Sequence, residues 1–186
     1  MAKLPQILKK SMVAQSRFFT VEELQLRFSN GVERIYERLR TPPHQAVMVV
    51  ALKDDDTVLM IREYGAGLEA YTLGLPKGAL EANETLEQGA NRELQEETGH
   101  GAHQLTVLKE LTLSPGYMSS RLTVVLAEEL YESRLDGDEP EPIEVLPMKL
   151  SELDDWVWRE ELSEARSIAA LYLVRDILRA RQGVSS

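Results

Sequence analysis

The chain has 186 residues, 43% of them hydrophobic and 28% charged, with 31 acidic side chains against 21 basic ones, no cysteine and a formal net charge of −10. That length suits one well-cored domain, or one domain with a small appendage. Without cysteine there are no disulfides or thiolate metal sites, three scattered histidines offer no zinc spacing, and the acidic balance argues against nucleic acid as a partner.

The opening MAKLPQILKK lacks the apolar segment of a signal peptide, and the longest apolar run, residues 46–52, is far short of the ~20 residues that span a bilayer. A cytoplasmic protein without a membrane partner is expected. Residues 17–39 hold two alternating runs around Asn30-Gly31, which predicts a β-hairpin with a two-residue type I′ turn. TPPH at residues 41–44 breaks the chain and reads as a linker, so residues 1–43 form an N-terminal hairpin piece and residues 44–186 the main domain. AVMVVAL and TVLMIREY, separated by KDDD, read as strands, and a third extended run follows the GAGLEA loop toward YTLGLP. A helix over about residues 86–98 comes next, then strands near 105–113, 122–130 and 143–148. The C-terminal SEARSIAALYLVRDILRARQ groups Ala165, Ile168, Ala169, Leu171 and Tyr172 on one helical face. Strands on both sides of helices predict an α/β or α+β fold.

The central helix carries its own punctuation. Thr85 and Gln88 fit a capping box, and Gly99 fits the left-handed position that ends helices. Glu93, Glu96 and Glu97 fall within about 100° on the helical wheel, next to the apolar stripe of Leu86, Ala90 and Leu94. Most glutamate clusters are solvated faces lying opposite the core. This one borders the core, and like charges four residues apart cost about 0.2–0.5 kcal/mol per pair. Arg92 can pair with Glu96 but cannot neutralise three carboxylates. A divalent cation such as Mg²⁺ can, since it takes carboxylate, water and phosphate oxygens, and Gly89 puts no side chain in the way.

Gly78, five residues, Glu84, seven residues, Arg92-Glu93-Leu94, one residue, Glu96-Glu97, one residue and Gly99 together resemble the Nudix box. His100 departs from that pattern, which has an aliphatic residue there. The resemblance implies a Nudix-type α/β/α sandwich with a mixed sheet, here preceded by the β-hairpin, and hydrolysis of a nucleoside diphosphate linked to another moiety. It also implies that Glu93, Glu96 and Glu97 ligate Mg²⁺ (or Mn²⁺), that Gly78 belongs to the metal site through its backbone turn, and that Arg92 and Glu84 are the pair positioning the ligands. Pyrophosphate hydrolysis has the matching need for neutralised phosphates and an aligned water.

SPGY at residues 114–117 and DGDEPEPIE at residues 136–144 resemble the ADP-ribose pyrophosphatase branch, and with YTLGLPKG the arrangement looks most like the ADP compounds hydrolases of the NudE type. A small-molecule nucleotide substrate is implied: ADP-ribose or a related ADP compound, NADH and diadenosine polyphosphates among them, releasing AMP. Ser119 and Ser120 stand where that branch usually has an acidic residue. The acidic loop is no EF-hand, since Glu141 and Pro147 occupy the positions that need glycine and glutamate. It reads either as a solvated turn or, by resemblance, as a mobile loop delivering Glu139 or Glu141 as general base, with alignment favouring Glu141. Arg62, Lys77, Pro115, Arg38 and Arg40 are candidate substrate contacts, Arg17 a weaker one. The N-terminal piece resembles the segment through which this branch forms homodimers and completes its adenosine pocket. Two alternatives are a GDP-mannose type sugar-nucleotide pyrophosphatase and a non-catalytic Nudix-fold ligand sensor; retention of every ligand carboxylate argues against the sensor.

Overall fold

In the computed structural model the described residues are 3–40 and 45–183. The expected linker at residues 41–44 lies outside them. The chain divides into two compact units, Met1–His44 with Thr112–Leu122, and Gln45–Leu111 with Thr123–Ser186.

The first unit holds an antiparallel sheet of β1 (Gln6–Gln15), β2 (Thr20–Arg27) and β3 (Glu33–Arg40), in that order. β2 and β3 form the expected hairpin, but its turn differs from the expected type I′. Gly31 N–H donates to Phe28 C=O at 2.9 Å, Phe28 N–H donates to Val32 C=O at 2.9 Å, and Gly31 alone in the turn has positive φ, at 80°. That is a three-residue loop closed by a left-handed glycine, and Asn30 is used instead to accept from Val32 N–H at 3.1 Å. β1 was not anticipated from the sequence. Its register slips between Ile7 and Lys9 and again between Met12 and Ala14, so alternation is lost. β3 also meets the SPGY turn, where Leu39 N–H donates to Tyr117 C=O at 2.8 Å.

The second unit contains β4 (Ala46–Ala51), β5 (Thr57–Gly65), β6 (Ala70–Gly74), β7 (Lys77–Ala79), α1 (Leu86–Thr98), β8 (His100–Thr112), β9 (Arg121–Glu132), β10 (Glu144–Lys149), α2 (Leu153–Trp158) and α3 (Ala165–Gly183), the ends of β8 and β9 falling in the first unit. One sheet runs β7-β4-β9-β8 and another β10-β5-β6. β7 and α2, which the sequence reading did not separate, are short.

β4 is apolar along its length because both its faces are covered. Val47, Val49 and Ala51 join Val125 and Ala127 of β9 and Ala90 and Leu94 of α1 in one buried cluster. Met48 and Val50 point the other way by strand alternation and are equally buried, and α3 is the other helix touching β4. α1 is fixed at both ends. Gln88 N–H donates to Thr85 Oγ1 at 3.2 Å, Thr85 N–H donates to the Gln88 side chain at 2.9 Å, and Gly99 closes the helix at φ 74°. Those anchors set the rotation of α1, and so the direction of its acids.

Candidate functional site

Arg92 is the hub of the acidic face. Its Nε donates to Glu84 Oε1 at 2.8 Å and its Nη2 to Glu84 Oε2 at 3.1 Å, while Nη1 donates to both Glu93 Oε1 and Glu96 Oε2 at 2.9 Å. A further Nη2 bond to Ala79 C=O, at 2.9 Å, ties the guanidinium to β7. The planar fork of arginine makes such multiple bonding possible, which a lysine could not reproduce. Glu84 is itself held by Glu81 N–H at 2.7 Å.

Glu97 is 3% exposed and Glu93 7% exposed. Burial pushes the Glu97 carboxyl up to about 8, against the opposing pull of the Lys77 amide, which donates to Glu97 Oε2 at 2.8 Å. Burial also raises Glu93, with Arg92 opposing, whereas in Glu84 the Arg92 hydrogen bond outweighs desolvation and lowers the pKa. Gly78 makes room for this arrangement. A Cβ added there would lie 2.1 Å from Glu93 Oε1, so the backbone of β7 approaches the carboxylate as only glycine permits.

These residues suit a hard divalent cation in donor type: all-oxygen, adjacent on one helix face, and carrying more negative charge than one guanidinium balances. Among the described residues no three acidic groups converge as a ready coordination sphere, because Glu93 and Glu96 turn onto Arg92 and Glu97 onto the Lys77 amide.

A cleft of about 280 Å³ is lined by Arg62, Glu63, Tyr64 and Tyr71 on one side and by residues 139–144 on the other. Glu141 accepts a hydrogen bond from the Tyr71 hydroxyl, and Tyr71 stands edge-on to Tyr64 at 5.6 Å. Glu139 takes a different direction. Its carboxylate folds over Gly137, whose ideal Cβ would lie 3.6 Å from Glu96 Cβ, and its charge reaches Glu93. Of the two loop acids, Glu139 is thus the one aimed at α1.

The remaining candidates are spread out. Arg62 pairs with Glu144 at 3.0 Å, and Lys77 Nζ pairs with Glu63, linking the cleft to the residue before Gly78. Arg38 pairs with Glu22 at 2.6 Å and shares a groove of the first unit with Pro115, Tyr36 and Tyr117. Arg40 ends β3 opposite Thr20, with its charge felt by Glu22. His100 rests its Nδ1 3.0 Å from Thr98 O at the start of β8. Glu63 and Tyr71 were missed from sequence. The signal for Tyr71 was the hairpin it closes, since Tyr64 and Tyr71 are cross-strand partners around GAGLEA.

Residues 42–173 match the NUDIX domain, and residues 5–38 match the NudE-type Nudix hydrolase N-terminal domain. The chain is 46% identical to ADP compounds hydrolase NudE of Escherichia coli over 95% of each chain. It is 32% identical to an ADP-ribose pyrophosphatase of Bacillus subtilis, over 94% of this chain and 98% of the relative. A crystal structure of an ADP compounds hydrolase superimposes with a TM-score of 0.91 at 45% identity, covering 97% of both chains. The mixed sheet with helices is therefore a Nudix fold.

Proposed function

This chain belongs to the Nudix hydrolase family, and from that premise we propose that it hydrolyses the pyrophosphate bond of ADP-ribose and related ADP compounds, NADH and diadenosine polyphosphates included, releasing AMP. The observation that carries the chemistry is the Arg92 hub, which holds Glu84, Glu93 and Glu96 beside a buried Glu97. Likeness to an ADP compounds hydrolase over nearly the whole chain supports the substrate class.

Nudix hydrolases generally use divalent cations. Here Glu93, Glu96 and Glu97 are the proposed ligands of Mg²⁺ (or Mn²⁺), with Gly78 keeping the space beside Glu93 open. When bound, the ion neutralises phosphate charge and acidifies a water. Arg92 and Glu84 fix the ligands' orientation. Glu139, the loop acid aimed at α1, takes the proton of the attacking water, and Glu141, which the family resemblance favours for that role, accepts from Tyr71. Arg62, which lines the cleft, and Lys77, paired with the cleft residue Glu63, act as substrate contacts once released from Glu144 and Glu63. The groove with Arg38 and Pro115 belongs to adenosine recognition, with Arg40 of the same strand a further contact.

Residues 1–43 act in dimerisation and residues 44–186 in catalysis. Met12, Phe18, Phe19 and Ile35 of the first unit are each at least 60% exposed, apolar surface that a second copy would cover. No helix among the described residues is long and apolar enough to cross a membrane, and the cytoplasm is the proposed location. A substrate panel with products separated by chromatography tests the activity. ADP-ribose should give AMP and ribose 5-phosphate only with a divalent ion, and should exceed GDP-mannose by at least about tenfold in kcat/KM, equivalent to about 1.4 kcal/mol. Faster turnover of GDP-mannose would overturn the substrate assignment, and a full-length monomer in light scattering would overturn the dimer.

A further inference from the structure

We propose that Tyr71 is a positioning residue: by donating its hydroxyl to Glu141 it pins the acidic loop so that Glu139 faces the carboxylates of α1. The inference rests on the hydrolase reading above and assigns Glu141 a holding role in it.

Where the loop leaves β9 it is tied to the end of α1. Ser133 N–H donates to Gly99 C=O at 3.0 Å, the Ser133 hydroxyl donates to Gln95 Oε1 at 2.7 Å, and Leu135 N–H reaches Gln95 C=O at 3.4 Å. It rejoins the ladder at Glu144, paired in register with Arg62 of β5. Between those ends, residues 136–143 form no strand or helix. Glu139, placed for proton transfer, would hang on a free segment were it not for the bond to Tyr71.

Tyr71 is itself well held, by its ladder position opposite Tyr64 and by edge-on contact with that ring. The bond lifts the Tyr71 phenol above its ordinary value, so the donor keeps its proton in the neutral range. Pro140 and Pro142 flank Glu141 and each fixes one φ, so anchoring Glu141 restricts the path back to Glu139 two residues away. A base displaced by about an ångström loses rate without losing substrate affinity, which gives the arrangement a kinetic signature.

The test uses the full chain with Mg²⁺ and ADP-ribose. Y71F and E141A should each lower kcat about tenfold with KM changed less than about twofold, and the double variant should lose no more than either alone. E141Q should recover most of what E141A loses, because the amide oxygen still accepts the phenol proton. A KM effect in Y71F would make Tyr71 a substrate contact, multiplicative losses would make the residues independent, and E141Q as poor as E141A would make the carboxylate itself the reactant; each overturns the proposal. Independently of turnover, ¹³Cζ-tyrosine NMR should show the Tyr71 titration falling toward that of a free phenol in E141A. An unchanged titration means no bond and sinks the idea, whereas a correct titration in a chain that cleaves no ADP compound would fault only the assigned activity.

Discussion

The helix α1 and the loop of residues 136–143 are both rich in glutamate, yet they hold their carboxylates by opposite means. On α1 the acids are capped into position from both ends, with Glu93 and Glu97 buried and Glu93 and Glu96 gathered by one guanidinium. In the loop Glu139 is half-buried and Glu141 exposed, and they depend on prolines and one tyrosine hydroxyl. Burial fixes geometry but resists ionisation, as the pKa of Glu97 near 8 records. An irregular loop avoids deep burial but leaves geometry loose. Metal ligation suits the first condition, because a cation offsets the burial; proton transfer suits the second, provided something holds the base in place.

The sharpest way to break this contrast is to neutralise one acid on α1. Glu97→Gln and Glu96→Gln should each cut turnover at least about a hundredfold, a loss of about 2.7 kcal/mol of transition-state stabilisation, while circular dichroism shows an intact fold. Full activity in either would remove the ligand assignment. Next in size, Arg92→Ala strands Glu84, Glu93 and Glu96 together and should destabilise the chain by about 2–3 kcal/mol in denaturant titrations. Arg92→Lys should recover the charge but only part of that stability, because the fork is lost.

A smaller effect sharpens the comparison through pH. Glu97 has a folded pKa raised from 4.5 to about 8, so between those values the folded chain binds more protons than the unfolded one, and stability falls as pH rises. In chelator, Glu97→Gln escapes that loss. Its Tm advantage over the parent should be absent near pH 4 and grow toward pH 8, at about 2–4 °C for each kcal/mol relieved. A constant difference across that range would mean Glu97 ionises freely. Smallest of all, Arg62→Ala breaks a surface pair whose partners are 38% and 59% exposed, and should change stability by less than about 1 kcal/mol while raising KM.

The α1 site was legible in the sequence because its determinants are local. Capping at Thr85 and Gly99, and acids three and four residues apart, fix one face without reference to the rest of the chain. The link from Tyr71 to Glu141 spans 70 positions, and Lys77 to Glu63 spans 14; neither spacing carries a period that reveals contact. β1 was hidden for another reason. Two register slips spoil its alternation, and its side chains are mostly exposed, so QILKKSMVAQ shows neither a strand period nor a core face. At the β2–β3 turn, Asn-Gly correctly marked a reversal, but its length depended on Phe28 and Val32 pairing outside it.

Those slips in β1 also bear on how the protein behaves when concentrated. β1 is the outer strand of its sheet among the described residues, and a straight outer strand offers a row of free amides and carbonyls on which another molecule's strand can grow. Twice-bulged and carrying adjacent Lys9 and Lys10, β1 is a poor template for such growth: its ladder is interrupted at two points and its charges repel a copy of themselves. The irregularity that hides the strand from sequence reading thus guards its open edge against fibre formation.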